Sequence, residues 1–174
     1  MKLSRQLGRR YGLVMTEPRT LAPEQWELWR MWMQAHRLLQ RELDRDLQRD
    51  HGISKAEFSV LVTLHQTYGG EMRVGELAES LGWEKSRVAH QLTRMENREL
   101  VDRTDHESNG RRAGIRLTSK GRSAAESAIV GHGTNIRRYF FETLTSDQAA
   151  AIHAWSRQTI DRIEAPDPKP TSGT

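Results

Sequence analysis

The 174-residue sequence contains no cysteine. Disulfides, a thiolate zinc site and thiol-based redox sensing are therefore excluded for this chain. Its prolines stand at 18, 23, 166, 168 and 170, so the interior is free of the strongest helix breaker. No apolar run approaches the roughly 18 residues that a membrane helix needs. The basic N-terminus is not followed by the apolar stretch of a secretory signal. A cytoplasmic location without a membrane partner is the default expectation. Also missing are a nucleophile–base pair and a phosphate-binding loop. His36, His51, His65, His90, His106, His132 and His153 are scattered, with no close helical pair, whereas zinc sites favour clustered ligands. No catalytic residue, metal or cofactor is expected.

What is present is charge. Charged residues make up 29% of the chain and hydrophobic ones 36%, with a mean hydropathy of -0.77. Such a balance suits a helical protein that concentrates its apolar residues on narrow faces. The net charge is only +4, but the isoelectric point is near 9.8 and arginine greatly outnumbers lysine. Arginine makes planar, bidentate contacts to phosphate and guanine. Equally, a GC-rich genome favours arginine codons. Composition thus permits a nucleic-acid partner without requiring one.

Residues 1–20 carry Arg5, Arg9 and Arg10 without helical periodicity and read as a flexible tail. Met15, just before the organised sequence, is an alternative start to Met1. Residues 165–174, rich in Pro, Ser, Gly and Thr, are expected to be disordered. Between the tails the pattern predicts six helices and one hairpin. A first helix runs from about Pro23 to Arg49, with Trp26, Leu28, Trp29, Met31, Trp32 and Met33 covering most of its early circumference. A helix apolar all round must be buried, either by a second subunit or inside a monomer's core. Ser54 and Glu57 form a capping box that opens a helix with Phe58, Leu61, Val62 and His65. Val74, Leu77, Ala78 and Leu81 follow at helical spacing, and Gly82 stops that helix. A fourth runs from Glu84 to Arg98. Strands are expected at 100–104 and 114–117, around a loop containing Asn109-Gly110, a tight-turn signal. Thr118 opens a helix to about Leu144, and Thr145 or Ser146 opens the last, to about Ile163.

Two short helices joined through a glycine turn are the signature of a helix-turn-helix. On the fourth helix Val88, Leu92 and Met95 share one face and anchor it to a core. Ser86, Arg87, His90, Gln91, Thr93 and Arg94 are assigned to the opposite side, with no carboxylate in its middle. That is the equipment of a major-groove reader: Arg for guanine, Gln for adenine, Ser or Thr for phosphate. The alternative is an ordinary solvated helix face. The hairpin adds Arg111 and Arg112 at its tip, near Arg103 and Arg116. A basic wing beside a recognition helix can enter the minor groove.

The order of these elements, and the segment LAESLGWEKSRVAHQLTRMENRELVDRTDHESNGRRAGIRLTSKG at 77–121, closely resemble MarR-family transcriptional regulators. Leu43 to Leu47 followed by His51-Gly52-Ile53, and Phe140 through Thr145, agree with the same family. The resemblance covers about residues 21–164. It implies a mainly α fold with a small β-hairpin wing, a winged helix-turn-helix of six helices. It also implies a homodimer: helices at 21–50 and 118–164 form the interface, and a DNA-binding lobe spans 53–118. Further, it implies repression, or less often activation, relieved by a small aromatic or anionic ligand. One departure stands out. The family's wing usually has Asp-x-Arg, and here the word is Asn109-Gly110-Arg111. Asn cannot form the salt bridge that orients wing arginines, although Arg112 can compensate in part.

Effector pockets of the family lie between the dimer helices and the lobe. Trp29, Trp32, His36 and His65 are candidates to line one, with core packing as the alternative for each. Gly131 and Gly133, inside a long helix, suggest either a hinge or close helix packing. The leading expectation is therefore a dimeric, sequence-specific regulator binding double-stranded DNA. An architectural DNA-binding protein with little sequence choice is the alternative.

Overall fold

The computed structural model describes residues 21–104 and 114–165. The expected tails and the wing tip, with Asn109, Arg111 and Arg112, lie outside the described residues. In chain order the elements are α1 (Pro23–His51), α2 (Lys55–Gln66), β1 (Glu71–Arg73), α3 (Val74–Leu81), α4 (Lys85–Asn97), β2 (Val101–Thr104), β3 (Gly114–Leu117), α5 (Ser119–Tyr139) and α6 (Ser146–Glu164). The fold is mainly α with a small antiparallel sheet, and α5 ends five residues earlier than expected. A single 3-10 turn at Phe141–Thr143 leads from α5 to α6. The chain falls into two compact units, residues 1–40 and 41–174.

The larger unit holds the core. Leu47, Ile53, Val60, Leu61, Leu64, Leu77, Val88, Leu92, Met95, Leu100, Val101, Ile115 and Leu117 are buried in one cluster with Ala125 and Ala128 of α5. Each large aliphatic side chain so buried contributes on the order of 2 kcal/mol. The capping box at α2 forms as expected: the Glu57 amide donates to Ser54 Oγ and the Ser54 amide to Glu57 Oε2. Thr145 and Gln148 form the same reciprocal box at α6, whereas at α5 the Thr118 hydroxyl accepts from the Gly121 amide with no bond in return.

The sheet has one more strand than the expected hairpin, in the order β1-β3-β2. Met72 of β1 faces Ile115 of β3, and Arg103 of β2 faces Ile115 from the other side. Three residues, Glu-Met-Arg, are too few to show an alternating pattern. The strand exists because β3 offers it a free edge.

The turn between α3 and α4 follows from one backbone requirement. Gly82 sits at φ 63, ψ 32, the left-handed region that glycine adopts without steric cost. The Trp83 amide donates to the Ala78 carbonyl at 2.9 Å, and the Gly82 amide to Glu79 at 3.1 Å. This double closure ends α3 and redirects the chain at once into α4.

Close packing explains one of the two glycines in α5. A Cβ at Gly131 would overlap the ring of His51, at the end of α1, while one at Gly133 would meet nothing. His51 Nδ1 lies 3.3 Å from Ser127 Oγ on the same helix. Gly131 thus marks contact between helices rather than a hinge. Gly133→Ala is expected to raise stability by about 1 kcal/mol, and Gly131→Ala to lower it, in urea denaturation. Equal effects of the two substitutions would contradict the packing assigned to Gly131.

Candidate nucleic-acid interface

α4 is anchored along a single stripe. Val88, Leu92 and Met95 are completely buried, while Ser86, Arg87, His90, Thr93 and Arg94 are exposed. At about 100° per residue these five span the side opposite the stripe. Lys85 extends the exposed set at the start of the helix. The only carboxylate within α4, Glu96, is near its end and is engaged by Arg103 of β2 at 2.6 Å. Hydrogen-bond donors therefore dominate the centre of the face. Thr93 donates its hydroxyl to the Ala89 carbonyl at 3.2 Å, which leaves its oxygen mainly as an acceptor.

Gln91 corrects the sequence assignment. It is 7% exposed, and its Nε2 is buried without a hydrogen-bond partner. Helical geometry explains this: Gln91 lies about 60° from Val88 and about 40° from Met95 around the axis. It belongs to the edge of the buried stripe, and its amide is not offered to a base edge.

Both ends of α4 are fixed. At the start, the Arg87 guanidinium stacks over the Trp83 ring, 4.1 Å from its centroid. This role of Trp83 was not read from the sequence, although its i, i+4 spacing to Arg87 is visible there. At the end, Glu99 takes φ 59, and the amides of Glu99 and Leu100 close on Glu96 and Met95 at 2.8 and 2.9 Å. Arg98 then reaches back to α2, with Nη1 2.6 Å from Glu57 Oε1 and Nη2 donating to the Gly52 carbonyl at 3.0 Å. Glu57 is nearly buried. Burial pushes its carboxyl up, but the Ser54 amide and hydroxyl and the Arg98 guanidinium outweigh that and hold it below the ordinary glutamate value.

The hairpin stem is braced in the same manner. Arg103 pairs with Glu96, and Arg116 of β3 with Asp102 of β2 at 3.3 Å. Glu71 of β1 accepts from Thr104 at 2.9 Å.

The effector candidates belong to two different units. In the smaller unit, Trp29 and Trp32 have ring centroids 5.2 Å apart, and Trp32 stacks with His36 at 5.8 Å. An open groove of about 580 Å³ beside them is lined by Trp26, Trp29, Met33, Arg30 and Arg37, among others. His65 belongs to the larger unit, where its Nδ1 is buried without a hydrogen-bond partner. Among the described residues no group of three His, Asp or Glu side chains gathers to hold a metal. No described helix is long and apolar enough to cross a membrane.

The profile of the MarR family matches residues 53–113, which contain the helix-turn-helix and β2. AbsC, a MarR family transcriptional regulator from Streptomyces coelicolor, is 30% identical with a TM-score of 0.75, over 86% of this chain and all of AbsC. The chain belongs to the MarR family. Sco3205, a MarR family regulator from the same organism solved in complex with DNA, is 31% identical with a TM-score of 0.74, over 87% of this chain and 94% of Sco3205. A MarR variant from E. coli complexed with operator DNA shares the fold, at 20% identity and a TM-score of 0.64, over 76% of this chain and 93% of its own. No curated protein matches the chain by sequence.

In this MarR family member Glu57 ties the far end of α4 to the lobe, so its loss has a defined signature. Glu57→Gln is expected to cost about 1–3 kcal/mol at pH 7. Because the folded-state pKa is depressed, the carboxylate's contribution is present above the unfolded value and lost as pH falls through the folded one. The gap between wild type and variant should therefore narrow as pH falls from the ordinary glutamate range towards the lower folded value. Denaturant titrations at pH 7 and pH 3.5 check this; a gap independent of pH would contradict it.

Proposed function

We propose that this protein regulates transcription by binding a pseudo-palindromic duplex operator as a homodimer. The observation that carries the proposal is the exposed face of α4: Ser86, Arg87, His90, Thr93 and Arg94 together, with no carboxylate at its centre. Arg87, His90 and Arg94 face the bases. Ser86 and Thr93 lie nearer the backbone, Thr93 as an acceptor. Asn109, Arg111 and Arg112 of the wing complete the contact in the adjacent minor groove. The complex of Sco3205 with DNA supports DNA as the partner.

The homodimer is supported by apolar surface. Leu28 of α1 is 73% exposed and Ile163 of α6 is 77% exposed, and Trp26, Met31 and Ile160 are exposed as well. No residue of α6 is buried. Exposed apolar surface on this scale marks an interaction site. A second copy, using residues 21–50 and 118–164, supplies a two-fold partner and sets two lobes on two half-sites. We assign repression as the outcome, because a dimer spanning two major grooves occludes the duplex. An aromatic or anionic effector suits the Trp29, Trp32 and His36 rings beside Arg30 and Arg37. No enzymatic role is assigned.

Competition of a selected duplex against random duplex at fixed salt tests the sequence-specific reading. Specific binding is expected to be at least about 10³-fold tighter; equal affinity would point to an architectural protein. Leu28→Glu is expected to shift the protein to monomers in sedimentation and to weaken operator binding at least about tenfold. A variant that stays dimeric with full affinity would remove α1 from the interface.

A further inference from the structure

We infer that Trp83 is a positioning residue for DNA recognition. Its indole holds the Arg87 guanidinium ready for the duplex, so that Arg87 rather than Arg94 is the dominant sequence-determining arginine of α4. This inference rests on the DNA-binding function proposed above.

Trp83 lies in the turn, just before the cap residue Glu84 of α4. It is only partly buried and packs against the hydrophobic core. Trp83 and Val88 occupy the positions flanking a helix start that commonly pack together, so the indole has a fixed seat. Arg87 is four residues on, the separation that places two side chains above one another on a helix. Its guanidinium carbon is 4.1 Å from the indole centroid, well within the range of a cation–π contact, and Trp is the strongest ring for it.

The chemistry of that partner matters. A carboxylate would orient arginine by taking up N–H donors, and those donors would then have to be released before DNA could be read. A ring uses only the face of the guanidinium. All five N–H groups stay in the plane, directed outward, where two can meet O6 and N7 of guanine. Arg87 has no acidic partner among the described residues. Arg94 is exposed as well but has no ring beneath it among the described residues. Arg94 must therefore lose its rotamer freedom on binding, whereas Arg87 has already surrendered part of it. Restraint before binding favours the arginine with the ring.

A double-mutant cycle tests this in the full chain. The probe is the duplex that the wild-type protein selects from a random library, with affinities measured by fluorescence anisotropy at one salt concentration. Trp83→Leu is expected to weaken binding about three- to tenfold and to relax the same base pair that Arg87→Ala relaxes. In the Arg87→Ala background the Trp83 substitution should change affinity less than about twofold, and in the Arg94→Ala background its full effect should persist. Trp83→Phe, which keeps a ring face, should restore most of the loss. If Trp83→Leu does not fold, Trp83→Met takes its place in the cycle. An equal loss with and without Arg87 would show that Trp83 only packs, and would overturn the inference while leaving DNA binding intact. So would full affinity in the Trp83 variant. If wild type selects no duplex, the DNA-binding function and this inference fall together.

Discussion

The Glu57 carboxylate, buried at the first turn of α2, gathers the Ser54 amide and hydroxyl on one oxygen and the Arg98 guanidinium on the other. Arg98 is the residue that ends α4. The helix that presents Arg87, His90 and Arg94 is thereby tied to the helix behind it through a charge-assisted bond as well as through Val88, Leu92 and Met95. An apolar stripe alone permits a helix to slide or rock by small amounts. A short ion pair to a nearly buried carboxylate resists that, because moving it would leave a charge without water or partner. That pair adds to the apolar stripe in holding the orientation of the reading face.

Around this anchor the molecule divides its work. The lobe from α2 through β3 completes its core with Leu47 of α1 and Ala125 and Ala128 of α5, and caps the start of α2 with Ser54. The outer face of α4 is left with its donors turned outward. The early part of α1 and the whole of α6 are different, since their large apolar side chains face solvent in a single chain. One set of surfaces awaits a polar, negatively charged partner. The other awaits an apolar one, and a second copy of the same chain can supply it to both protomers at once.

Much of this was legible in the sequence. Ser54 and Thr118 proved to be caps as expected, and of the two candidates for the last helix, Thr145 and Ser146, the cap is Thr145, because a side-chain oxygen next to orphan amides is a local matter. The helix-turn-helix was equally plain, since Gly82 both stops α3 and allows α4 to begin. What escaped was whatever depends on angle or on distant residues. Gln91 was assigned outward although its angular position lies next to Met95. β1 was invisible because its strand character comes from β3, more than forty residues away in the chain. Trp83 was overlooked because its function lies in the space above its ring. Gly131 was ambiguous until His51, eighty residues earlier, filled the gap beside it.

The central claim is that two copies of the α4 face enter the major groove of one duplex. Methylation interference on the selected operator tests it most directly, because N7 of guanine lies in the major groove. Interference is expected at two clusters of guanines about one helical turn apart, related by the operator's two-fold axis. Interference confined to minor-groove adenines, or to a single isolated cluster, would contradict it.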